Sequence, residues 1–248
     1  MPTVFDHALA VVFGVAVPAL GVWRARSLMR RWDAGGAISR TRVYAETLAV
    51  QWLMAGLIVA WWAWSGRPWI TLSVGAPAGA LVWIILGVVG LAGVGFAVQV
   101  ARVRASDEAR RRVRGQLGAV APILPRTPGE LRLFLTLGAT AGVCEELLYR
   151  GYLMWWAVSL GSPVWLAVLV TAALFGAGHA YQGVDGAMRI FALGVVFGVI
   201  VTLTQSIWVA AAAHVLIDVA SGVTAYLALG SGPAGDRSPG PPAAQPAR

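Results

Sequence analysis

Of 248 residues, 58% are hydrophobic and only 12% charged, whereas an ordinary soluble domain carries about 25% charged residues. That shortage excludes a soluble globular domain and a disordered chain, and a coiled coil too, since its flanking positions need charge. The apolar stretches are continuous rather than alternating, which excludes a transmembrane barrel and leaves an all-α fold, a polytopic transmembrane helical bundle.

A spanning helix needs about 20 apolar residues, and the chain offers about seven such segments, with eight as the upper count. The first covers 5–23, kinked at Pro18. Its start, Met1 to His7, holds Asp6 and no Arg, and the positive charge follows the apolar run. It therefore reads as an uncleaved span with its N-terminus outside, not as a signal peptide. No lipidation box is present at either end. The second segment, 44–64, ends in Trp61, Trp62 and Trp64, an aromatic belt, and Gly66-Arg67-Pro68 forms the outer turn. The third covers 79–100, and the Arg-rich stretch after it, with Asp107 and Glu108, suits a short surface helix.

Pro122, Pro125 and Pro128 break the chain next. Thr127-Pro128-Gly129-Glu130 has the form of a helix start, with a capping Thr, Pro at the first position and Glu at the third. A fourth helix runs from there to Ser159, and Gly161-Ser162-Pro163 turns it. The fifth, sixth and seventh segments cover 164–179, 187–203 and 207–229. From Gly230 the Gly, Pro, Ala and Ser composition predicts a disordered tail. No internal repeat is visible.

All nineteen basic residues are Arg, six from Arg24 to Arg42 and eight from Arg102 to Arg132. They sit between apolar runs and carry no nucleic-acid motif, so the expected partners are membrane lipids and not nucleic acid. By the positive-inside rule both clusters belong to the cytoplasm, which puts the C-terminus there and suggests a bacterial-type plasma membrane. The single Cys144 excludes an internal disulfide.

Glu145, Glu146 and Asp218 lie within otherwise apolar helices, together with Arg150, His179 and His214. Ionisable groups inside a bilayer are costly, face the bundle interior and mark functional sites. Glu146 and Arg150 are four apart and can form a structural ion pair on one face. His214 and Asp218 are also four apart, so the carboxylate can reach a ring nitrogen and set its tautomer. Phe175, four before His179, stacks under that imidazole. Glu145 lies about 100° round the helix from Glu146, so the two carboxylates do different jobs. Each set alone has a bland reading as an ion pair, a core histidine or an interhelical clamp. Their convergence on three helices favours a site.

Glu145-Glu146-Leu147-Leu148-Tyr149-Arg150 resembles the EExxxR motif of the CPBP family, the CAAX prenyl proteases and bacteriocin-processing, Abi-type enzymes. Phe175-Gly176-Ala177-Gly178-His179 is similar to that family's FxxxH, and His214-Val215-Leu216-Ile217-Asp218 to its HxxxN/D. The resemblance implies three regions: N-terminal spans and basic loops over 1–127, an intramembrane protease core over 128–229, and the tail over 230–248. It implies an endopeptidase acting on a membrane-associated, prenylated or leader-bearing protein, with Glu145 and His179 activating water and His214 stabilising the oxyanion. Ionised Asp218, where many relatives have Asn, only accepts hydrogen bonds, which favours a role in orienting His214.

Two mechanisms stay open under this resemblance. The metal-free one is favoured, with no cofactor. The rival is zinc held by Glu145, His179 and His214, without the HExxH spacing. A transporter with buried ion-binding residues predicts interrupted helices in matching halves, and no such symmetry is visible. A silent relative serving as a scaffold or immunity factor sits badly with every motif residue being present. The oligomeric state is not legible. His179 ends its segment near the inner surface, so the site is expected to open toward the cytoplasmic half. Glu145 reaches it if 131–138 is a lead-in along that surface.

Overall fold

The structure, a computed structural model, describes residues 1–230, so the expected tail lies outside the described residues apart from Gly230. Eight helices carry the fold, and no strand occurs among the described residues. They are α1 (Val4–Asp33), α2 (Arg40–Trp64), α3 (Val82–Ala105), α4 (Asp107–Gln116), α5 (residues 128–159), α6 (Val164–Gly178), α7 (Val184–Thr204) and α8 (Ile207–Gly230). Five of these, α1, α2, α3, α7 and α8, are long and apolar enough to cross a membrane. The chain is a polytopic helical membrane bundle.

Boundaries differ from the apolar segments where polar residues are good helix formers. Helix α1 continues through the first four arginines of the first Arg cluster, Arg24 to Arg31, to Asp33, because Arg favours helix and basic groups near a helix C-terminus suit its dipole. In α1 a π-type stretch, Val12–Ala16, precedes Pro18, as expected where proline removes a backbone donor. Helix α3 starts at Val82 and runs on past Val100 to Ala105, and Ser106 then caps the expected surface helix α4. The capping box at Thr127 is present, with Glu130 N–H donating to Thr127 Oγ1 at 3.2 Å and Thr127 N–H donating to Glu130 Oε2 at 3.1 Å.

Both Arg-rich loops lie on one side of the bundle. Arg40 Nε donates to the Pro122 carbonyl at 2.8 Å and Arg40 lies 3.6 Å from Glu130, while Arg26 donates to the Ala180 carbonyl after α6. On the opposite side Asp6, Arg67 and the tryptophans Trp61, Trp62 and Trp155 form a second charged cluster. Donation to Asp6 holds the Arg67 guanidinium above its ordinary value.

The core joins α5 to α8 and α6 to α7. Helix α3 leaves its residues almost wholly exposed, the position of a lipid-facing helix. Helix α6 has 15 residues, or about 22 Å, short of the roughly 30 Å hydrocarbon core.

Candidate active site

Gly138 and Gly142 line the face of α5 turned toward α8. A Cβ on Gly142 would lie 2.9 Å from the Val215 backbone nitrogen and overlap the Val215 side chain. A Cβ on Gly138 would lie 2.9 Å from Asp218 Cβ. Small residues at a membrane-helix interface let backbones approach closely, and here that approach brings the next turn of α5 onto His214.

In that turn Glu146 Oε1 accepts from Arg150 Nη1 at 2.9 Å and from His214 Nδ1 at 3.0 Å. Arg150 Nη2 donates to the Gly194 carbonyl at 3.0 Å. Gly194 makes room for this, since a Cβ there would stand 3.0 Å from Nη2. The guanidinium also lies 4.6 Å from the Phe175 ring centre and 5.5 Å from that of Phe197, a cation–π setting. Both side chains of the Glu146–Arg150 pair are fully buried. The pair falls at the start of a π-type stretch, Leu147–Leu153, a distortion frequent at functional sites.

A carboxylate only accepts, so His214 Nδ1 carries a proton toward Glu146. Its Nε2 faces Glu145 Oε2 at 3.9 Å and Asp218 Oδ2 at 3.7 Å, both beyond hydrogen-bond distance. The helical spacing pointed to Asp218 as the carboxylate that fixes the ring; the structure gives that bond to Glu146. The cause is tertiary. The imidazole is stacked on Phe197 at 5.2 Å and meets Phe175 edge-on at 5.8 Å, which turns Nδ1 toward α5.

His179 follows the last turn of α6, where its Nδ1 lies 2.8 Å from the Phe175 carbonyl. A carbonyl cannot donate, so Nδ1 holds a hydrogen, and in the neutral ring Nε2 is the nitrogen that carries the lone pair. Phe175 is 1% exposed and touches both imidazoles, 4.8 Å from the His179 ring and 5.8 Å from that of His214. It is thus a wedge between two histidines, beyond the stacking expected with one. Because α6 is short, its C-terminal end stops at the level that His214 occupies two turns into α8.

Glu145 points away from Glu146, toward α2. Its Oε1 accepts from Gln51 Nε2 at 2.8 Å. Eleven residues separate Arg40 from Gln51 and fifteen separate Glu130 from Glu145, yet both pairs meet. Helix α5 therefore runs obliquely to α2, which lowers Glu145 toward the level of the histidines. Gln51 was not singled out from the sequence. Its signal was there, a lone amide in an apolar span, but amides draw less notice than charges.

Burial grades across the site. The Glu146 and Arg150 side chains are 0% exposed, His214 is 8%, Glu145 19% and Asp218 33%. A sealed layer thus orients His214, and an accessible layer of Glu145, His179 and Asp218 faces outward. Among the described residues, no group of three or more His, Cys, Asp or Glu side chains is placed to hold a metal ion. In the set considered for zinc, Glu145 Oε1 receives an N–H, His214 Nδ1 is engaged by Glu146 and His179 Nδ1 by the Phe175 carbonyl, which leaves Glu145 Oε2 and the Nε2 atom of each imidazole uncommitted.

No curated protein and no solved structure matches the chain. Residues 127–220 match the model of a family described as type II CAAX prenyl endopeptidase, Rce1-like. That segment contains all three motifs and the whole Glu145, Glu146, Arg150, His179, His214 and Asp218 constellation. Over residues 127–220 the chain is therefore similar to the Rce1-like family of type II CAAX prenyl endopeptidases, and it is a hydrolase of the protease class.

Proposed function

We propose that the protein is an intramembrane endopeptidase that uses Glu145 as base, without metal, to cleave a prenylated CAAX-type protein at the membrane. The observation that carries this reading is the bridging of His214 between two carboxylates of different exposure. Glu146 occupies Nδ1 and so directs Nε2 toward the reachable Glu145 and the outward-facing side of the site.

The chemistry then runs as follows. A water bound between Glu145 Oε2 and His179 Nε2 loses a proton to Oε2 as its oxygen bonds to the scissile carbonyl carbon. The carbonyl π pair moves to oxygen, and a proton on His214 Nε2 donates to that oxyanion, the charge that preorganised donors stabilise most. On collapse the C–N bond breaks, and Glu145 passes its proton to the departing amine. Asp218, across from Nε2, steers the ring and the incoming peptide by its charge. The positive-inside rule supports both Arg-rich loops facing anionic lipid on the cytoplasmic side of a bacterial-type plasma membrane, with the N-terminus outside and the C-terminus cytoplasmic.

The test is cleavage of a farnesylated peptide ending in a CAAX sequence by the purified full chain, with products identified by mass spectrometry. Release of the terminal tripeptide by wild type, lost in Glu145→Gln, supports the reading. Wild-type turnover by Glu145→Gln overturns the base assignment. Zinc measured by elemental analysis decides the second mechanism: stoichiometric metal that tracks activity would replace the metal-free route.

A further inference from the structure

Gln51 belongs to α2, far outside the segment 127–220 that carries the motifs. It is 5% exposed, and its Nε2 donates to Glu145 Oε1 at 2.8 Å. Its own Oε1 is buried and, among the described residues, has no hydrogen-bond partner. A carboxylate is therefore what sets the amide's orientation. Turned over, it would press oxygen against oxygen, so the N–H faces Glu145 as long as that side chain is ionised. The other carboxylate oxygen, Oε2, is the one facing His214 Nε2.

We propose that Gln51 is a positioning residue of the protease site, holding Oε1 of Glu145 so that Oε2 is the oxygen that takes the proton from water. The inference rests on Glu145 being the base. It also makes the motif-bearing segment incomplete by itself, since the base is aimed by a helix that precedes it. The rival role is an interhelical clamp, a common use of amides in membrane bundles. A clamp would change stability and leave turnover per folded molecule alone. The other titratable groups around Glu145 are His214 and Asp218 from α8, Cys144 and Tyr149 from α5, and Tyr181 from the turn after α6. None of these donates to Oε1.

The experiment compares wild type, Gln51→Leu, Gln51→Glu and Gln51→His as full-length protein in nanodiscs, with two readouts. On the farnesylated CAAX peptide, Gln51→Leu is expected to lower kcat by about 10- to 100-fold, the worth of one hydrogen bond to a charged group, with KM and Tm nearly unchanged. Gln51→Glu, which sets a second carboxylate against Oε1, should lower it further, and Gln51→His, which keeps an N–H, should restore part of it. The second readout needs no substrate: modification of Glu145 by a hydrophobic carbodiimide, which reacts with protonated carboxyl groups, located by tandem mass spectrometry. Loss of the donor should speed labelling of Glu145 several-fold at one fixed pH.

Wild-type labelling in Gln51→Leu overturns the proposal whether or not the peptide is cleaved. So does a fall in kcat that only follows a fall in folded fraction. If Glu145→Gln still turns over, the base assignment fails while the labelling comparison still reports on the Gln51 contact. If Glu145→Gln is dead and Gln51→Leu matches wild type in both readouts, only the role of Gln51 falls.

Discussion

Asp6 and Glu145 are both helical carboxylates in apolar surroundings, and the two ends of the bundle treat them differently. Asp6 is 0% exposed and saturated. Oδ1 accepts from Arg67 at 2.7 Å and Trp61 Nε1 at 2.8 Å, and Oδ2 accepts from Arg67 at 2.7 Å and from Thr3 N–H and hydroxyl at 2.6 and 2.8 Å. The Arg67 guanidinium is itself packed against Trp62 at 5.0 Å and Trp155 at 4.9 Å. Glu145 has one donor, Gln51, and keeps an oxygen turned to an imidazole 3.9 Å away. Nearby Glu146 Oε2, Arg150 Nε and Gln51 Oε1 are buried with no hydrogen-bond partner among the described residues. A buried polar group without a partner is costly. The saturated cluster fastens α1 to the turn after α2, whereas the other one leaves Glu145 Oε2 on the accessible side, where a substrate and water can use it.

The sharpest way to break that comparison is to remove the bridging imidazole. His214→Ala should reduce kcat by about 10²–10³-fold, the range for losing one oxyanion donor, with KM little changed, as read by initial rates on the farnesylated peptide. Next come the two arginines, whose loss should look different. Arg150→Ala leaves Glu146 a buried carboxylate without its guanidinium, costing about 3–5 kcal/mol, and it unfastens the carboxylate that orients His214. Solubilised yield, Tm and activity per folded molecule should all fall. Arg67→Ala strands Asp6 at a similar cost of roughly 3–5 kcal/mol, yet its folded fraction should keep wild-type turnover. Equal specific activity losses in both variants would erase the distinction between the two clusters.

Gly142→Ala sharpens the comparison at the helix contact. The added methyl meets the Val215 backbone, so α5 and α8 must separate, at an expected cost of about 1–3 kcal/mol. Because Glu146 and His214 sit on those helices, activity should fall more than Tm does. Smallest is Asp218→Asn. Asp218 does not bond His214, so the fold should hold and kcat should stay within about tenfold of wild type, near 1.4 kcal/mol. A loss as deep as that of His214→Ala would place Asp218 in the chemistry itself.

Much of the architecture was legible because lipid imposes strong rules. Apolar runs of spanning length, Arg clusters at their ends and the Thr127 capping box all read directly, since local hydrogen bonding and solvation decide them. The motif residues were legible for the same reason: a charge in an apolar helix stands out. Asp6 escaped notice because its position at a helix start resembles an ordinary capping residue, and its partner Arg67 lies 61 residues away.

What the sequence determined by itself, then, is the succession of apolar helices, the pairing of Glu146 with Arg150 and the charged motif residues set within those helices. Helical spacing is a local property, and four residues apart means one face whatever surrounds it. Only the tertiary structure decided which carboxylate holds His214, that Phe175 separates two imidazoles, and that Gln51 reaches Glu145. Those contacts depend on how closely α5 approaches α8, on how far α5 leans across α2 and on how early α6 ends. Such distances are set by packing between helices, and no spacing within one helix encodes them.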